Sequence, residues 1–196
     1  MIKEQTMVGD IAIRSMIQDD WEIYRDLWLE CLQTEAWAFS VSYKQKSTFT
    51  EQQWRKACFL PHQIQSFMLT DKSQPIGLSS VMKSKTDPEG KTALLLRQYI
   101  KSDYRGCGYS DYIYRAGLQW ALDEGLNYAE VAYRRTNGIS QQAGTKWGFT
   151  HHRTVSGRIF EGKPDDVHYY RLNLADVVSH SAGEENSHCI GLLTPR

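Results

Sequence analysis

The segment Tyr104-Arg-Gly-Cys-Gly-Tyr-Ser110 is the part of this chain whose residue types and spacing could do chemistry. Gly106 and Gly108 let the backbone turn tightly with no side chain in the way. Beyond the turn the spacing is helical, with Tyr109, Ile113, Ala116, Gly117, Trp120 and Ala121 recurring every three or four residues. A glycine turn at a helix N-terminus offers unpaired backbone N–H groups and the positive end of the helix dipole, so its expected guest is a phosphate or pyrophosphate. Arg105 would add one full charge. Such a turn can also be purely structural, and the segment alone leaves both readings open. Cys107, inside the turn, is a thiol and so a conceivable nucleophile.

The neighbouring elements must place this turn. Residues 92–100 predict a strand buried on much of both faces that leads directly into it, and Glu124-Gly125 ends the helix on its far side. Residues 128–133 alternate as a strand, and Asn137 opens a short helical stretch closing at Lys146-Trp-Gly-Phe149. Asn137 suits a helix cap and, by its amide, a ligand contact as well. Earlier in the chain, residues 11–14 read as a short strand. Gln18-Asp19-Asp20 then precede a helix with Trp21, Tyr24, Leu27, Trp28, Cys31 and Leu32 inward, and Thr50 caps a second helix. Residues 34–48 are aromatic and polar without a period, a loop placed for substrate contacts. Strands are expected at 64–70 and 76–82 across a turn at 71–75, and at 153–160 and 167–174 across a turn at 161–165. Residues 175–196 read as a flexible C-terminal tail.

Composition removes several classes of function. Lys+Arg and Asp+Glu number 23 each, so no overall field gathers nucleic acid or anionic lipid. The 196 residues, 41% hydrophobic and 23% charged, suffice for one domain with a full core. Cys31, Cys58, Cys107 and Cys189 lie far apart, with no C-x-x-C pair and no histidine at zinc-finger spacing, which speaks against a metal knot or a disulfide scaffold. Reduced thiols, no apolar run near the roughly 18 residues of a membrane span and no secretory leader fit a cytoplasmic protein.

Two motifs in order carry a resemblance. Arg105-x-x-Gly108-x-Ser110 resembles the R/Q-x-x-G-x-G/A signature of the GNAT superfamily of acetyl-CoA-dependent N-acetyltransferases, preceded by Tyr99-Ile-Lys-Ser-Asp-Tyr104 where the family commonly has a strand end and an aromatic. Asn137 through Phe149 resembles the second signature, an asparagine followed by the phenylalanine of a Gly-Phe pair. Leu29-Glu-Cys-Leu32, Ala36-Trp-Ala-Phe-Ser-Val-Ser-Tyr43 and Glu51-Gln-Gln-Trp54 look like a GNAT subgroup. The resemblance implies one domain over residues 11–174 of α/β (α+β) class. Its sheet would be mixed, mostly antiparallel and flanked by helices, splayed between the strand ending at Ile100 and the strand carrying Val131 and Tyr133. It further implies that acetyl-CoA lays its pantetheine arm along Gln98, Tyr99 and Ile100. The amides of Arg105, Gly106, Cys107, Gly108, Tyr109 and Ser110 would take the pyrophosphate, and Asn137 would reach the pantetheine or thioester.

Two positions depart from the family pattern. Ser110 replaces the usual Gly or Ala, a change that still fits beside a phosphate. Gly144 falls where many members have the tyrosine that protonates the leaving thiolate, and it is expected to make room for substrate or cofactor. Direct transfer to a primary amine of a small molecule or peptide is the expected reaction, the alternative being an inactive acyl-CoA-binding module. Candidates for the base are Glu35, Glu130 and His168, and for the acid Ser140 and Tyr133. Of the adjacent His151 and His152, at most one could face a site. Trp37, Phe39 and Tyr43 could wall an acceptor. No metal, nucleic acid or membrane is expected as partner, and a homodimer stays open.

Overall fold

The computed structural model describes residues 6–8 and 10–181. Along it the chain runs β1 (Thr6–Val8), β2 (Ile11–Ser15), α1 (Trp21–Thr34), α2 (Tyr43–Lys46), α3 (Glu51–Cys58), β3 (Phe59–Leu60), β4 (Ile64–Asp71) and β5 (Gln74–Lys83). It continues with β6 (Thr92–Ile100), α4 (Ser110–Asp123), β7 (Tyr128–Arg134), α5 (Gly138–Lys146), β8 (Thr150–Phe160), β9 (Lys163–Asn173) and α6 (Leu174–Ser181). The strands form one sheet in the order β1-β2-β4-β5-β6-β7-β9-β8, with β3 paired to β4. Every pair is antiparallel except β6 and β7, whose parallel pairing requires the crossover that α4 provides. This is the mixed, mostly antiparallel sheet flanked by helices that the resemblance implies.

Helices cover both faces because the strands are apolar on both. On one face α1 and α3 bury Tyr24, Leu27, Trp28, Leu32 and Trp54 against Met68, Leu78 and Tyr99. On the other, α4 buries Ile113, Tyr114, Leu118 and Ala121 against Leu69, Ile76, Leu95 and Val131.

The β6–β7 pair is only half made. Its register runs from Thr92 opposite Tyr128 to Leu95 opposite Val131 and stops there. On its other edge β6 is bulged: Ser80 faces Leu96 and Leu78 faces Tyr99, so Arg97 and Gln98 together oppose Ser79. Arg97 takes a left-handed φ of 56°, a conformation rare for a residue with a side chain. A bulge bends its strand and sharpens the local twist, which accounts for β6 parting from β7 beyond Leu95.

Several sequence expectations need correction. Residues 34–48 are not a plain loop: Ala36–Ala38 form a 3-10 turn and α2 follows, capped by Ser42, whose Oγ accepts from the Gln45 N–H at 3.2 Å. A one-turn helix is too short to show a period. Both hairpin turns are tighter than expected. Lys72 and Ser73, with φ of 45° and 72°, make a two-residue turn, and Pro75 falls inside β5 at a bulge opposite Thr70. Glu161 and Gly162, with φ of 47° and 80°, do the same between β8 and β9, and Pro164 pairs with Ile159. The tail expected from residue 175 is contradicted through Ser181, because α6 buries Leu174 and Val177 in the core beside β9. The remainder of that stretch, Cys189 included, lies outside the described residues.

Candidate functional site

The turn between β6 and α4 has the form of an anion cradle. Gly106 and Gly108 have φ of 77° and 79°, and a Cβ added at either would meet nothing within 4 Å. Backbone angle, rather than crowding, therefore demands glycine at both positions. The N–H groups of Gly106, Cys107, Gly108, Tyr109 and Ser110 find no acceptor among the described residues, whereas Arg105 N–H bonds Ser102 and Asp111 N–H bonds Gly108. A run of unpaired donors at the start of a helix of this length fits a pyrophosphate.

Arg105 itself behaves differently from expectation. Its Nε donates to the Ile100 carbonyl at 2.8 Å and its Nη2 lies 2.7 Å from Glu35 Oε1. The guanidinium thus ties the turn to the end of α1, where an ion pair already satisfies it. Cys107 is exposed, its Sγ 3.7 Å from the Arg105 carbonyl, and it lines no part of the gap between β6 and β7. It is out of place for a nucleophile.

That gap, between the parted halves of the two strands, is a cavity of about 680 Å³. Gln98, Tyr99 and Ile100 form one wall, and the glycine turn, Tyr109 and Ser110 close one end. Asn137, Ser140 and Ala143 bound it on the α5 side, and Trp28, Phe39 and Val41 on the α1 side. The gap in the sheet therefore joins the two helical layers, so that one ligand can enter from each face. Asn137 caps α5, its Oδ1 accepting from the Ser140 N–H at 3.2 Å, and it still reaches the cavity. Capping and ligand contact are both available to it.

At the centre of the gap two tyrosines meet. Tyr114 from α4 and Tyr133 from β7 share a buried hydrogen bond of 2.6 Å between their hydroxyls. Burial pushes the Tyr114 hydroxyl up to about 12 and, together with the neighbouring Tyr114, pushes Tyr133 higher still, so both remain protonated at neutral pH. Two hydroxyls sharing one bond keep one proton free to donate elsewhere. Gln98 lies beside Tyr114, and its buried Nε2 has no hydrogen-bond partner among the described residues.

The pair explains Gly144. A Cβ built at Gly144 would collide with the Tyr133 hydroxyl and lie 3.1 Å from its Cζ. The space that glycine frees is thus taken by a tyrosine hydroxyl reaching across from the neighbouring strand, rather than by a ligand. Tyr114 escapes a reading of the sequence because its helical spacing marks it as core, which it also is; the pairing with Tyr133 crosses two elements and leaves no local signal.

The proposed bases are placed less favourably. Glu130 is 2% exposed and held by Arg171, at 3.0 and 2.8 Å, and by Arg153 at 3.2 Å. It sits on the paired half of β7, away from the cavity. Glu35 lines the cavity, but one oxygen pairs with Arg105 and the other accepts from Trp37 Nε1 at 2.9 Å. His168 lies opposite Tyr133 on β9 and packs on His151 with ring centroids 5.5 Å apart, outside the lining. His152 turns the other way, 3.8 Å from Glu130. Of the acid candidates, Ser140 and Tyr133 both reach the cavity. Trp37 and Phe39 reach it as well, while Tyr43 does not.

Residues 15–149 match the family described as "Acetyltransferase (GNAT) family", and the chain belongs to that family. Solved structures share the fold at low identity. The ribosomal-protein-S5-alanine acetyltransferase of Vibrio fischeri matches with a TM-score of 0.73 at 15% identity, over 89% of this chain and 98% of its own. YncA of Salmonella typhimurium, a putative acetyltransferase solved with its cofactor acetyl-CoA, matches with 0.69 at 13%, over 93% and 99%. RimL, a ribosomal L7/L12 alpha-N-protein acetyltransferase in complex with coenzyme A, matches with 0.64 at 16%, over 87% and 98%. No curated protein matches the sequence. Among the described residues no helix is long and apolar enough to cross a membrane.

Proposed function

We propose that the protein moves the acetyl group of acetyl-CoA directly to a primary amine of a small molecule or peptide. The observation that carries this reading is the conjunction of five amides at the α4 N-terminus, unpaired among the described residues, with a sheet that is open beside them. The amides of Gly106 to Ser110 bind the pyrophosphate, and the free edge of β6 at Gln98, Tyr99 and Ile100 pairs with the pantetheine as an added strand would. Asn137 adds its side-chain amide. Bound acetyl-CoA supplies an acetyl group activated as a thioester, with a thiol of pKa about 8.5 as the leaving group.

An unpaired N–H of β6 steadies the charge that grows on the carbonyl oxygen. The Tyr114–Tyr133 pair donates its free proton as a hydrogen bond to the departing sulfur, in the role the family resemblance gives to a tyrosine at position 144. With Glu35 and Glu130 both in ion pairs, loss of the amine proton goes to water. An inactive binding module is not favoured, since the hydroxyl thought to be missing at Gly144 is supplied by Tyr133.

The test is release of CoA from acetyl-CoA in the presence of amines, for wild type and Tyr133→Phe. The variant should turn over about 10²-fold more slowly with an unchanged KM for acetyl-CoA. An unchanged kcat would remove the tyrosine pair from the reaction, and no release with any amine would remove the activity.

A further inference from the structure

The acceptor end of the cavity carries a charge pattern that acetyl transfer by itself does not require. Five basic side chains line the cavity, Lys46, Arg97, Arg105, Arg134 and Arg158, against one carboxylate, Glu35. Glu35 is committed to Arg105 and Arg134 is held by Asp165, each at 2.7 Å. Lys46, Arg97 and Arg158 have no carboxylate partner among the described residues.

Lys46, on α2, and Arg97, on β6, both line the cavity, and both are half-buried. Among the described residues Arg97 is fixed by neutral groups, its Nη1 donating to Tyr24 Oη at 2.6 Å and to the Ala57 carbonyl at 3.2 Å. The Lys46 ammonium lies 4.0 Å from the centre of the Phe49 ring. Burial lowers the Lys46 pKa, and the Arg97 charge pushes in the same direction, so the two cations repel. Trp28, Phe39 and Val41 beside them offer no counter-charge. Uncompensated cations against apolar walls are costly, and the bulge that aims Arg97 holds its backbone at an unfavourable φ. An anion delivered by the ligand would relieve the electrostatic cost and give the strained backbone a function.

We propose that the acceptor is an amine that also carries an oxyanion, first of all a carboxylate, and that Lys46 and Arg97 bind that oxyanion. The proposal rests on the acetyl-transfer reading. In the reaction the amine nitrogen forms the bond to the acetyl carbon as the carbon–sulfur bond breaks. One amine proton is lost and the CoA sulfur ends protonated. The same cations lower the pKa of an ammonium brought near them and so raise its neutral, nucleophilic fraction, in a cavity whose only carboxylate among the described residues is already paired.

The test uses acceptors paired by charge and compared per free-base amine: alanine against alaninamide, and phosphoethanolamine against ethanolamine, read by CoA release for wild type and Lys46→Met. Wild type should prefer the anionic member of at least one pair by about tenfold or more in kcat/KM, and which pair responds identifies the oxyanion as carboxylate or phosphate. Lys46→Met should erase that preference through KM, losing about tenfold more on the anionic acceptor than on its neutral partner. Equal or better use of both neutral acceptors by wild type, or an equal loss on both members in the variant, overturns the proposal. If acetyl-CoA stabilises the protein but no amine is turned over, calorimetry of N-acetylalanine with the CoA-loaded protein gives the answer: binding lost in Lys46→Met supports the anion site, and equal binding overturns it. Absence of both turnover and stabilisation by acetyl-CoA would instead sink the acetyl-transfer reading.

Discussion

At one end of the β6–β7 pair, from Thr92 and Tyr128 to Leu95 and Val131, a parallel ladder holds the strands together; at the other the same strands face a cavity of about 680 Å³. The closed end places its one acidic side chain, Glu130, among Arg153 and Arg171, where the buried charge is neutralised. Among the described residues the open end leaves its polar groups unfinished: five amides in the turn, the Gln98 amide nitrogen, and cations without counter-ions. Satisfied polar groups fix a structure, whereas unsatisfied ones are the parts of a fold that a ligand completes. By that criterion the carboxylate that resembles a base on sequence grounds is structural, and the proposed role in the site falls to the tyrosine three residues further along the same strand.

The largest effect expected from this contrast is at the closed end. Glu130→Ala leaves two arginines facing each other without their carboxylate and should cost about 3 kcal/mol, the low end for a broken buried pair because both guanidinium groups are about a third exposed. Urea denaturation measures it, and the folded fraction should keep its rate of CoA release. A variant of normal stability with lost turnover would reverse the assignment of the two ends.

A smaller effect, at the open end, sharpens the account of Gly144. Gly144→Ala drives a methyl into the Tyr133 hydroxyl and should cost about 1–3 kcal/mol despite alanine's better helix propensity. Combined with Tyr133→Phe, which removes the atom that is struck, the two changes should cost less than their sum, a coupling readable from a double-mutant cycle. Strict additivity would mean that the hydroxyl does not occupy that space.

Much of this is legible in the sequence, unevenly. The strand before the glycine turn has its observed limits there because Gly and Lys residues bound a compact apolar run, and Gly125, with φ of 68°, marks the end of α4 as its type suggests. The hairpin turns come out too long because proline reads as a strand breaker, while Pro75 sits at a bulge. The partners of Arg105 and Glu130 come from distant segments, so residue types suggest that each is charged and useful but not that each is already paired. Lys46 and Arg97 escape a sequence reading for the same reason: they reach one cavity from separate elements, α2 and β6, and neither has a local motif.

The central claim is that the open end holds acetyl-CoA through the glycine turn, and thermal unfolding tests it most directly. Acetyl-CoA at about a hundred times its dissociation constant should add about 2.7 kcal/mol, a rise of roughly 5–10 °C for a chain of this size, while acetate alone adds nothing. In Gly108→Val the strained φ of 79° cannot be kept at ordinary cost, and the rise relative to the variant's own Tm should vanish. No rise in wild type with either acetyl-CoA or CoA, or a full rise in the folded variant, would contradict the account.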